Sequence, residues 1–185
     1  MEEPWGDLAA TLKAVWIRLG RATKDRRSPW RFPMLATIGA AGPEVRTVVL
    51  RAADRQAAAL QIYTDARTAK VTEIADDPRV SLALWDPGAR LQVRLRARAE
   101  VLTGDAVAAE WAALPPVARR DYAAIAVPGA PLVGEDLREE APDARYFAVI
   151  SLRVHEIDTV HLGREAHRRA LFQGSDDWAG TWLQP

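Results

Sequence analysis

One segment, from Arg90 to Val101, constrains the fold of this chain more than any other. Apolar residues stand at every odd position from Leu91 to Val101, and polar residues stand at every even position from Arg90 to Glu100. Because successive side chains of a β-strand point to opposite faces, this alternation predicts a strand with one face on the core and one polar face.

Shorter apolar runs between turn signals predict further strands on both sides of this segment. We expect strands over residues 34–39, 45–50, 59–63, 79–85 and 167–172, and one or two more over 146–162. Polar turns at 40–44 and 52–56 separate the first three strands, which predicts an antiparallel meander.

Helical spacing of apolar residues predicts three helices, over residues 7–19, 68–76 and 103–114. Asp7 is expected to cap the first helix and Gly20 to end it. Asp65 or Thr68 is expected to cap the second helix. The third stops at two consecutive prolines, which cannot continue a helix.

The predicted elements combine into a fold that is mainly β with attached helices (α+β), arranged as an antiparallel β-barrel. We expect a single domain over residues 1–185, with an N-terminal helix and loop in 1–30 and the barrel in 31–185. Residues 123–143 are rich in Pro, Gly and acidic side chains. They predict a long loop of the kind that often forms lids and binding elements.

Composition and charge argue against several classes of protein. Lys plus Arg and Asp plus Glu number 25 each, so the net charge of zero argues against nucleic acid or an anionic membrane as partner. There is no cysteine, and the three histidines lack a helical i, i+4 pair, so no metal site is expected. No apolar stretch approaches the ~20 residues that span a bilayer, and the acidic start does not match a secretory signal. We expect a soluble, cytoplasmic protein.

Four polar blocks are candidates for chemistry, since the chain has no GxGxxG, P-loop, GxSxG or HExxH sequence. They are residues 46–51, 63–70, 90–94 and 167–172. The second block runs from a strand into a helix start, where backbone N–H groups favour anions. Hydroxyls and cations at the same place strengthen the prediction of an anionic ligand. The side chains concerned are Thr64, Arg67, Thr68 and Lys70.

These blocks, in this order, resemble the pyridoxamine 5'-phosphate oxidase superfamily. The shared pattern is an Arg-x-Val-x-Leu-(Lys/Arg) strand, a Tyr-Thr-(Asn/Asp) strand end, a Ser/Thr-x-Lys helix start, an Arg-x-Gln-Val strand and a late His-x-Arg. The resemblance covers roughly residues 31–185 and looks closest to a bacterial branch distinct from the vitamin B6 enzyme. It implies an FMN-binding split β-barrel that works as a homodimer, with FMN at the subunit interface. The polar face of Arg90–Glu100 is a candidate for that interface.

The resemblance also implies which residues contact FMN. Arg46 and Lys70 would face the phosphate. Gln92 would hydrogen-bond the polar edge of the flavin ring, which Arg169 would also reach. The full implied set is Arg46, Thr47, Val48, Val49, Leu50, Arg51, Tyr63, Thr64, Arg67, Thr68, Lys70, Gln92 and Arg169.

Three features depart from the family pattern. Ala69 stands where the family has an arginine, which Arg67 would replace from one turn away. Val160 stands near the position of a flavin-contacting tryptophan. The Tyr, Arg and Ser that grip the substrate phosphate in the vitamin B6 enzyme are not recognisable within residues 111–121. FMN binding is therefore a firmer expectation than the vitamin B6 substrate.

The resemblance implies an FMN-dependent oxidoreductase that moves two electrons to or from a small-molecule substrate. Two alternatives stay open: a non-enzymatic FMN-binding or redox-sensing protein, and a haem or deazaflavin binder on the same barrel. The polar blocks also have purely structural interpretations. Arg46 and Arg51 can flank an edge strand, and Lys70 can belong to an ordinary first helical turn.

Overall fold

The computed structural model of the chain describes residues 4–131 and 141–185. Its centre is a sheet of nine strands in which every paired strand is antiparallel to its neighbour. The strands are β1 Met34–Gly39, β2 Gly42–Thr47, β3 Leu50–Asp54, β4 Ala59–Asp65, β5 Arg79–Asp86, β6 Leu91–Thr103, β7 Phe147–Leu162, β8 His167–Gln173 and β9 Thr181–Leu183. The prediction of an antiparallel fold that is mainly β is confirmed.

Four α-helices and several 3-10 turns surround the sheet in the described part of the chain. The helices are α1 Leu8–Ala22, α2 Ala69–Asp76, α3 Ala108–Ala113 and α4 Pro116–Arg119. The 3-10 turns are Pro4–Gly6, Pro29–Arg31, Gly104–Val107, Arg120–Tyr122, Ala144–Tyr146 and Gly174–Asp176. None of the described helices is long and apolar enough to cross a membrane.

The long strands β6 and β7 organise the sheet. β6 buries its odd positions and exposes its even positions from Leu91 to Glu100, as its alternation predicts. β7 pairs with β6 along one edge. Along its other edge, β7 pairs with β4 through its first half and with β8 through its second half. The strand order is β2-β1-β5-β6-β7-β4-β3, with β8 paired to β7 and β9 paired to β8, so the predicted sequential meander is wrong.

One strand prediction and one turn prediction need correction, and one strand was missed. The run predicted over 45–50 is divided between β2 and β3, because the chain leaves β1 there and crosses to β4 near the other end of the strand order. The turn predicted at 52–56 falls at 55–58, where the Asp54 carboxylate accepts the N–H groups of Gln56 and Ala57. Residues 147–162 form one strand, in agreement with the one or two predicted there, and β9 was not predicted.

Two helix predictions also need correction. The cap of α1 is confirmed, since the Asp7 carboxylate accepts the Ala10 N–H at 2.7 Å. The helix nevertheless continues past Gly20 to Ala22, because Ala22 is fully buried and Arg31 donates to its carbonyl. The helix predicted over 103–114 is a 3-10 turn followed by α3. Gly104 at its start has a left-handed φ of 61°, which a continuous helix cannot contain.

Two hydrophobic clusters stabilise the fold. The main cluster joins the buried face of α1 to the core face of the sheet, and its members include Leu19, Leu35 and Leu95. The second cluster packs the α3 region against β7 and consists of Val107, Leu114, Tyr122, Phe147 and Val149. The lid predicted within residues 123–143 stays a prediction, because 132–140 lie outside the described residues.

Replacing Leu95 with alanine should destabilise the fold by about 2–5 kcal/mol, because a buried leucine leaves a cavity in the centre of β6. Leu95 is 0% exposed. Urea unfolding followed by circular dichroism measures the change. Glu100→Ala, at an exposed position of the same strand, is the control and should change stability by less than about 0.5 kcal/mol. Equal effects of the two substitutions would contradict the assignment of the core face.

Candidate functional site

The start of α2 brings four of the predicted site residues together. The Lys70 ammonium donates to the Thr64 hydroxyl at 3.1 Å. The hydroxyls of Thr64 and Thr68 are 3.2 Å apart. Arg46 comes from β2 and acts on the Lys70 ammonium as a neighbouring positive charge. We call Arg46, Thr64, Thr68 and Lys70 the α2 cluster.

Local sequence places these groups at one point. β4 ends at Asp65, and Thr68 is the N-cap residue of α2. The Thr68 hydroxyl donates to the Asp65 carbonyl at 2.8 Å, which fixes the turn between strand and helix. Thr68 makes no side-chain cap bond to the helix. Its hydroxyl oxygen instead lies next to that of Thr64.

The charges around Lys70 are not balanced. Burial lowers the pKa of Lys70, and the Arg46 guanidinium lowers it further. Glu73 and Asp65 act in the opposite direction, but Glu73 pairs with Arg46 at 2.8 Å and Asp65 pairs with Arg67 at 2.6 Å. The Lys70 ammonium therefore lies partly buried beside a second cation, with a hydroxyl as its hydrogen-bond partner. An anion at this point would stabilise its charged form.

Arg46 is held in place by two groups that sequence analysis did not single out. Its guanidinium pairs with Glu73 of α2 and donates to the hydroxyl of Thr37 on β1. Thr37 donates in turn to Glu73 at 2.5 Å. These contacts join β1, β2 and α2 around the α2 cluster. The sequence alone indicates these two residues only weakly, because their proximity to Arg46 depends on the register of β1 against β2.

Three other predicted site residues lie outside the α2 cluster. Arg67 donates to both carboxylate oxygens of Asp65 and stacks over the ring of Tyr146 at 3.5 Å. It is thus held by Asp65 and Tyr146 and not directed at Lys70. Tyr63 neighbours Thr64 on β4 and therefore projects from the opposite face. The Arg51 guanidinium lies 5.4 Å from the centre of the Tyr63 ring.

Residues 47–50 connect Arg46 of the α2 cluster to Arg51. Val48 and Leu50 are buried in the main hydrophobic cluster, while Thr47 is exposed and Val49 is half-buried. The Val48 N–H donates to the Pro33 carbonyl at 3.0 Å. Within this stretch, Thr47 and Val49 are therefore the residues whose side chains are accessible to a ligand. Their roles in FMN binding stay predictions.

The remaining predicted site residues lie in one row across β6, β7 and β8. Gln92 is opposite Val160, and Val160 is opposite Arg169. Directly opposite residues of antiparallel strands share a face of the sheet. Trp85 on β5, which is 43% exposed, is opposite Gln92 and extends the row. We call Trp85, Gln92, Val160 and Arg169 the outer row.

Asp158 holds the cationic end of this row. Its carboxylate, 5% exposed, accepts two hydrogen bonds from Arg169, at 2.9 and 3.1 Å, and another from Arg94. Burial alone would raise the pKa of Asp158, but the hydrogen bonds and charges of Arg169 and Arg94 outweigh it and lower that pKa. Sequence analysis missed Asp158, because its position opposite Arg94 follows only from the register of β7.

The α2 cluster and the outer row lie on opposite faces of the sheet. Arg46 is opposite the fully buried Leu35, which places its Cβ on the core face of β2. Gln92 is exposed between the buried Leu91 and Val93, which places it on the outer face of β6. One protomer therefore presents the two groups in different directions.

The outer face also carries exposed apolar side chains. Met34 and Val45 are 48% and 60% exposed, and they line a cavity of about 250 Å³ together with Ala83. Arg94 and Asp158 form part of the polar side of the same cavity. Contiguous exposed apolar surface bordered by charge is typical of an interaction site.

The chemistry of the α2 cluster fits the phosphate of FMN. A phosphate monoester needs cations and hydrogen-bond donors, and two cations and two hydroxyls converge here beside the first backbone N–H groups of a helix. By contrast, no group of three or more metal-ligating side chains is found among the described residues.

Comparison with known proteins supports the same interpretation. Residues 13–103 match the family model for the FMN-binding domain of pyridoxamine 5'-phosphate oxidase. The pyridoxine/pyridoxamine 5'-phosphate oxidase of Kineococcus radiotolerans is 42% identical over 66 residues, which are 36% of this chain and 29% of that enzyme. The chain thus matches less than a third of the length of this curated relative.

Solved structures share the whole fold. An FMN-binding protein from Nostoc punctiforme, related to pyridoxamine 5'-phosphate oxidase, superposes with a TM-score of 0.78 at 24% identity and covers 100% of both chains. PhzG from Burkholderia lata, solved with tetrahydrophenazine-1-carboxylic acid, superposes with a TM-score of 0.77 at 19% identity, covering 100% of this chain and 98% of PhzG. These likenesses confirm the split-barrel fold.

Replacing Asp158 with asparagine should lower the stability by about 1–2 kcal/mol at pH 7, because Arg94 and Arg169 lose their shared carboxylate but remain partly hydrated. The folded-state pKa of Asp158 is below its ordinary value of 3.8, so this stabilisation is present above that value and is lost as pH falls through the folded-state pKa. Urea unfolding of both proteins should therefore give curves that converge in acid. Asp143→Asn, in an exposed pair with Arg145, is the control and should have a much smaller effect. A difference in stability between the two proteins that does not change with pH would contradict the role assigned to the Asp158 carboxylate.

Proposed function

We propose that this chain, which belongs to the pyridoxamine 5'-phosphate oxidase-like split-barrel family, binds FMN and acts as an FMN-dependent oxidoreductase on a small molecule. The observation that carries the proposal is the partly buried Lys70 ammonium, which lies beside the Arg46 cation and hydrogen-bonds a hydroxyl. It lies within residues 13–103, the stretch that matches an FMN-binding domain.

The FMN phosphate would occupy the α2 cluster. There it would accept hydrogen bonds from Lys70 and Thr64, and its negative charge would offset the repulsion between Lys70 and Arg46. The Thr68 hydroxyl would keep its hydrogen bond to the Asp65 carbonyl. Glu73 would remain bound to Arg46 and fix the direction of that guanidinium. The phosphate would thus supply the anion that the charge balance of the cluster favours.

The flavin ring would contact the outer row of the partner protomer. Because the α2 cluster and the outer row face opposite sides of one sheet, a single FMN reaches both most simply when two protomers contribute them. The exposed Met34 and Val45 beside the outer row supply an apolar surface for the second copy of the chain. We therefore propose a homodimer with two shared sites.

Bound FMN would supply the two-electron chemistry, and the protein would supply binding and orientation. Asp158 would hold the Arg169 guanidinium against the polar edge of the flavin through two hydrogen bonds. Gln92 in the same row would donate or accept at that edge. Reduction of the bound flavin by candidate donors, followed by reoxidation in air, separates an oxidoreductase from a protein that only binds FMN.

Lys70→Ala and Arg169→Ala should each weaken FMN binding by about 1.5–3 kcal/mol, the range for hydrogen bonds to charged groups. Fluorescence titration of the FMN-free protein with FMN measures the affinity. Lys13→Ala removes an exposed lysine of α1 and should leave the affinity unchanged. Wild-type affinity in the Lys70 and Arg169 variants would show that these residues were assigned wrongly.

The chain should be a dimer, and Val45→Arg should convert it to a monomer that binds FMN at least tenfold more weakly. A charge in the apolar surface of the outer face would be desolvated on dimerisation without a partner. Light scattering at micromolar concentration gives the mass. Val117→Arg places the same charge on a valine of α4 that is 72% exposed, and it should remain dimeric. A wild-type monomer with FMN fully bound would refute the shared site.

Oxidation of pyridoxamine and pyridoxine 5'-phosphate should be weak, with kcat/KM well below ~10⁴ M⁻¹s⁻¹, the low end for ordinary enzymes. A substrate phosphate needs free cations, and Arg119 in the expected region stacks over Trp111 at 5.3 Å and donates to the Ala112 carbonyl at 2.9 Å. Steady-state assays of both vitamers with saturating FMN test this. A value near ~10⁴ M⁻¹s⁻¹ would mean that residues elsewhere in the chain bind the substrate phosphate.

A further inference from the structure

A second cavity lies at the end of the barrel, between two neighbouring hairpin turns. The turn 87–90 joins β5 to β6, and the turn 163–166 joins β7 to β8. The Leu162 N–H donates to the Arg90 carbonyl at 2.9 Å and ties the two turns together. The cavity between them has a volume of about 510 Å³, which is within the range of sites for small molecules. We call it the turn cavity.

The turn cavity is lined by more positive than negative charge. Arg90, Arg164 and Arg168 line it, and Glu165 is the one acidic residue among its described lining residues. In the described part of the chain, none of these arginines forms an ion pair or a side-chain hydrogen bond. Nine other described arginines form ion pairs. The three arginines at this cavity have no carboxylate partner among the described residues.

One acid close in sequence to the cavity does not offset this charge. Asp86 precedes the first turn, but its carboxylate accepts the Ala89 N–H at 3.0 Å and pairs with Arg18 at 3.6 Å. Its charge is therefore already shared with a backbone donor and another guanidinium. Among the described residues, the surplus of positive charge remains at the turn cavity.

Neighbouring residues position two of the cavity groups. The buried His161 stacks on Trp5, with ring centres 5.5 Å apart, and the 3-10 turn Pro4–Gly6 thereby packs against β7. A Cβ at Gly6 would lie 2.7 Å from Nη1 of Arg168, so the absence of a side chain there leaves room for this guanidinium. The N-terminal turn thus supports the Arg168 side of the cavity.

We propose that the turn cavity is a binding site for a small phosphate-bearing anion. Three guanidinium groups offer bidentate donors of the geometry that phosphate oxygens accept, and an anion would relieve their mutual repulsion. The site is separate from the outer row. His161 and Arg168 are directly opposite each other and share one face, whereas Val160 and Arg169 share the other. The proposal does not depend on FMN binding.

Inorganic pyrophosphate is the probe, and calorimetric titration at low salt is the measurement. We expect saturable binding by the wild-type protein and a loss of about tenfold or more in affinity in Arg90→Gln, Arg164→Gln and Arg168→Gln, since each removes charge-assisted hydrogen bonds. Arg98→Gln is the matched control. It removes one exposed positive charge from the same strand as the turn at Arg90, on a residue outside the cavity, and should bind like wild type.

Pyrophosphate could also bind at the α2 cluster, and a second background separates the two sites. Binding that persists in Lys70→Ala and is lost when Arg168→Gln is added belongs to the turn cavity. Binding that is lost in Lys70→Ala and retained in Arg168→Gln would overturn the proposal, as would equal weakening by Arg98→Gln and Arg168→Gln. No detectable binding of pyrophosphate by the wild-type protein would also overturn it.

Discussion

Burial of the core face of β6 between β5 and β7 is the interaction on which the rest of the molecule depends. Leu91, Val93 and Leu95 on this face are 0% exposed, and burying each side chain is worth about 1.5–3 kcal/mol. The same alternation directs Gln92 and Arg94 to the other face. Once β6 is paired with β7, the register brings Val160 and Asp158 beside them. One hydrophobic pattern thus determines both the core and the outer row.

In the α2 cluster, by contrast, two positive charges lie close together, which is unfavourable for folding. A partly buried lysine beside an arginine lowers the stability of the ligand-free protein, and this is the arrangement expected where a site is shaped for an anion. Glu73 stabilises Arg46 but leaves Lys70 with a hydroxyl partner. A phosphate would then bind where a partly buried cation has only a hydroxyl as its hydrogen-bond partner. This is why the α2 cluster, and not the exposed charges elsewhere, carries the functional proposal.

Local patterns predicted the features that local forces determine. The alternation in β6, the Asp7 cap and the start of α2 were all correct, because each depends on a few neighbouring residues. The division of residues 45–50 could not be predicted, since both halves have the same β-branched composition and differ only in their partner strands. Asp158 and Thr37 were missed for a related reason. Their roles follow from the register of strands that are distant in sequence.

The central claim is that the α2 cluster and the outer row hold FMN, and the absorption spectrum of the purified protein tests it most directly. Our account predicts a yellow protein with a flavin spectrum, from which denaturation releases a cofactor with the mass of FMN. A haem or deazaflavin spectrum would show that the barrel binds that cofactor and not FMN. A colourless protein that also fails to take up added FMN at micromolar concentration would contradict the account.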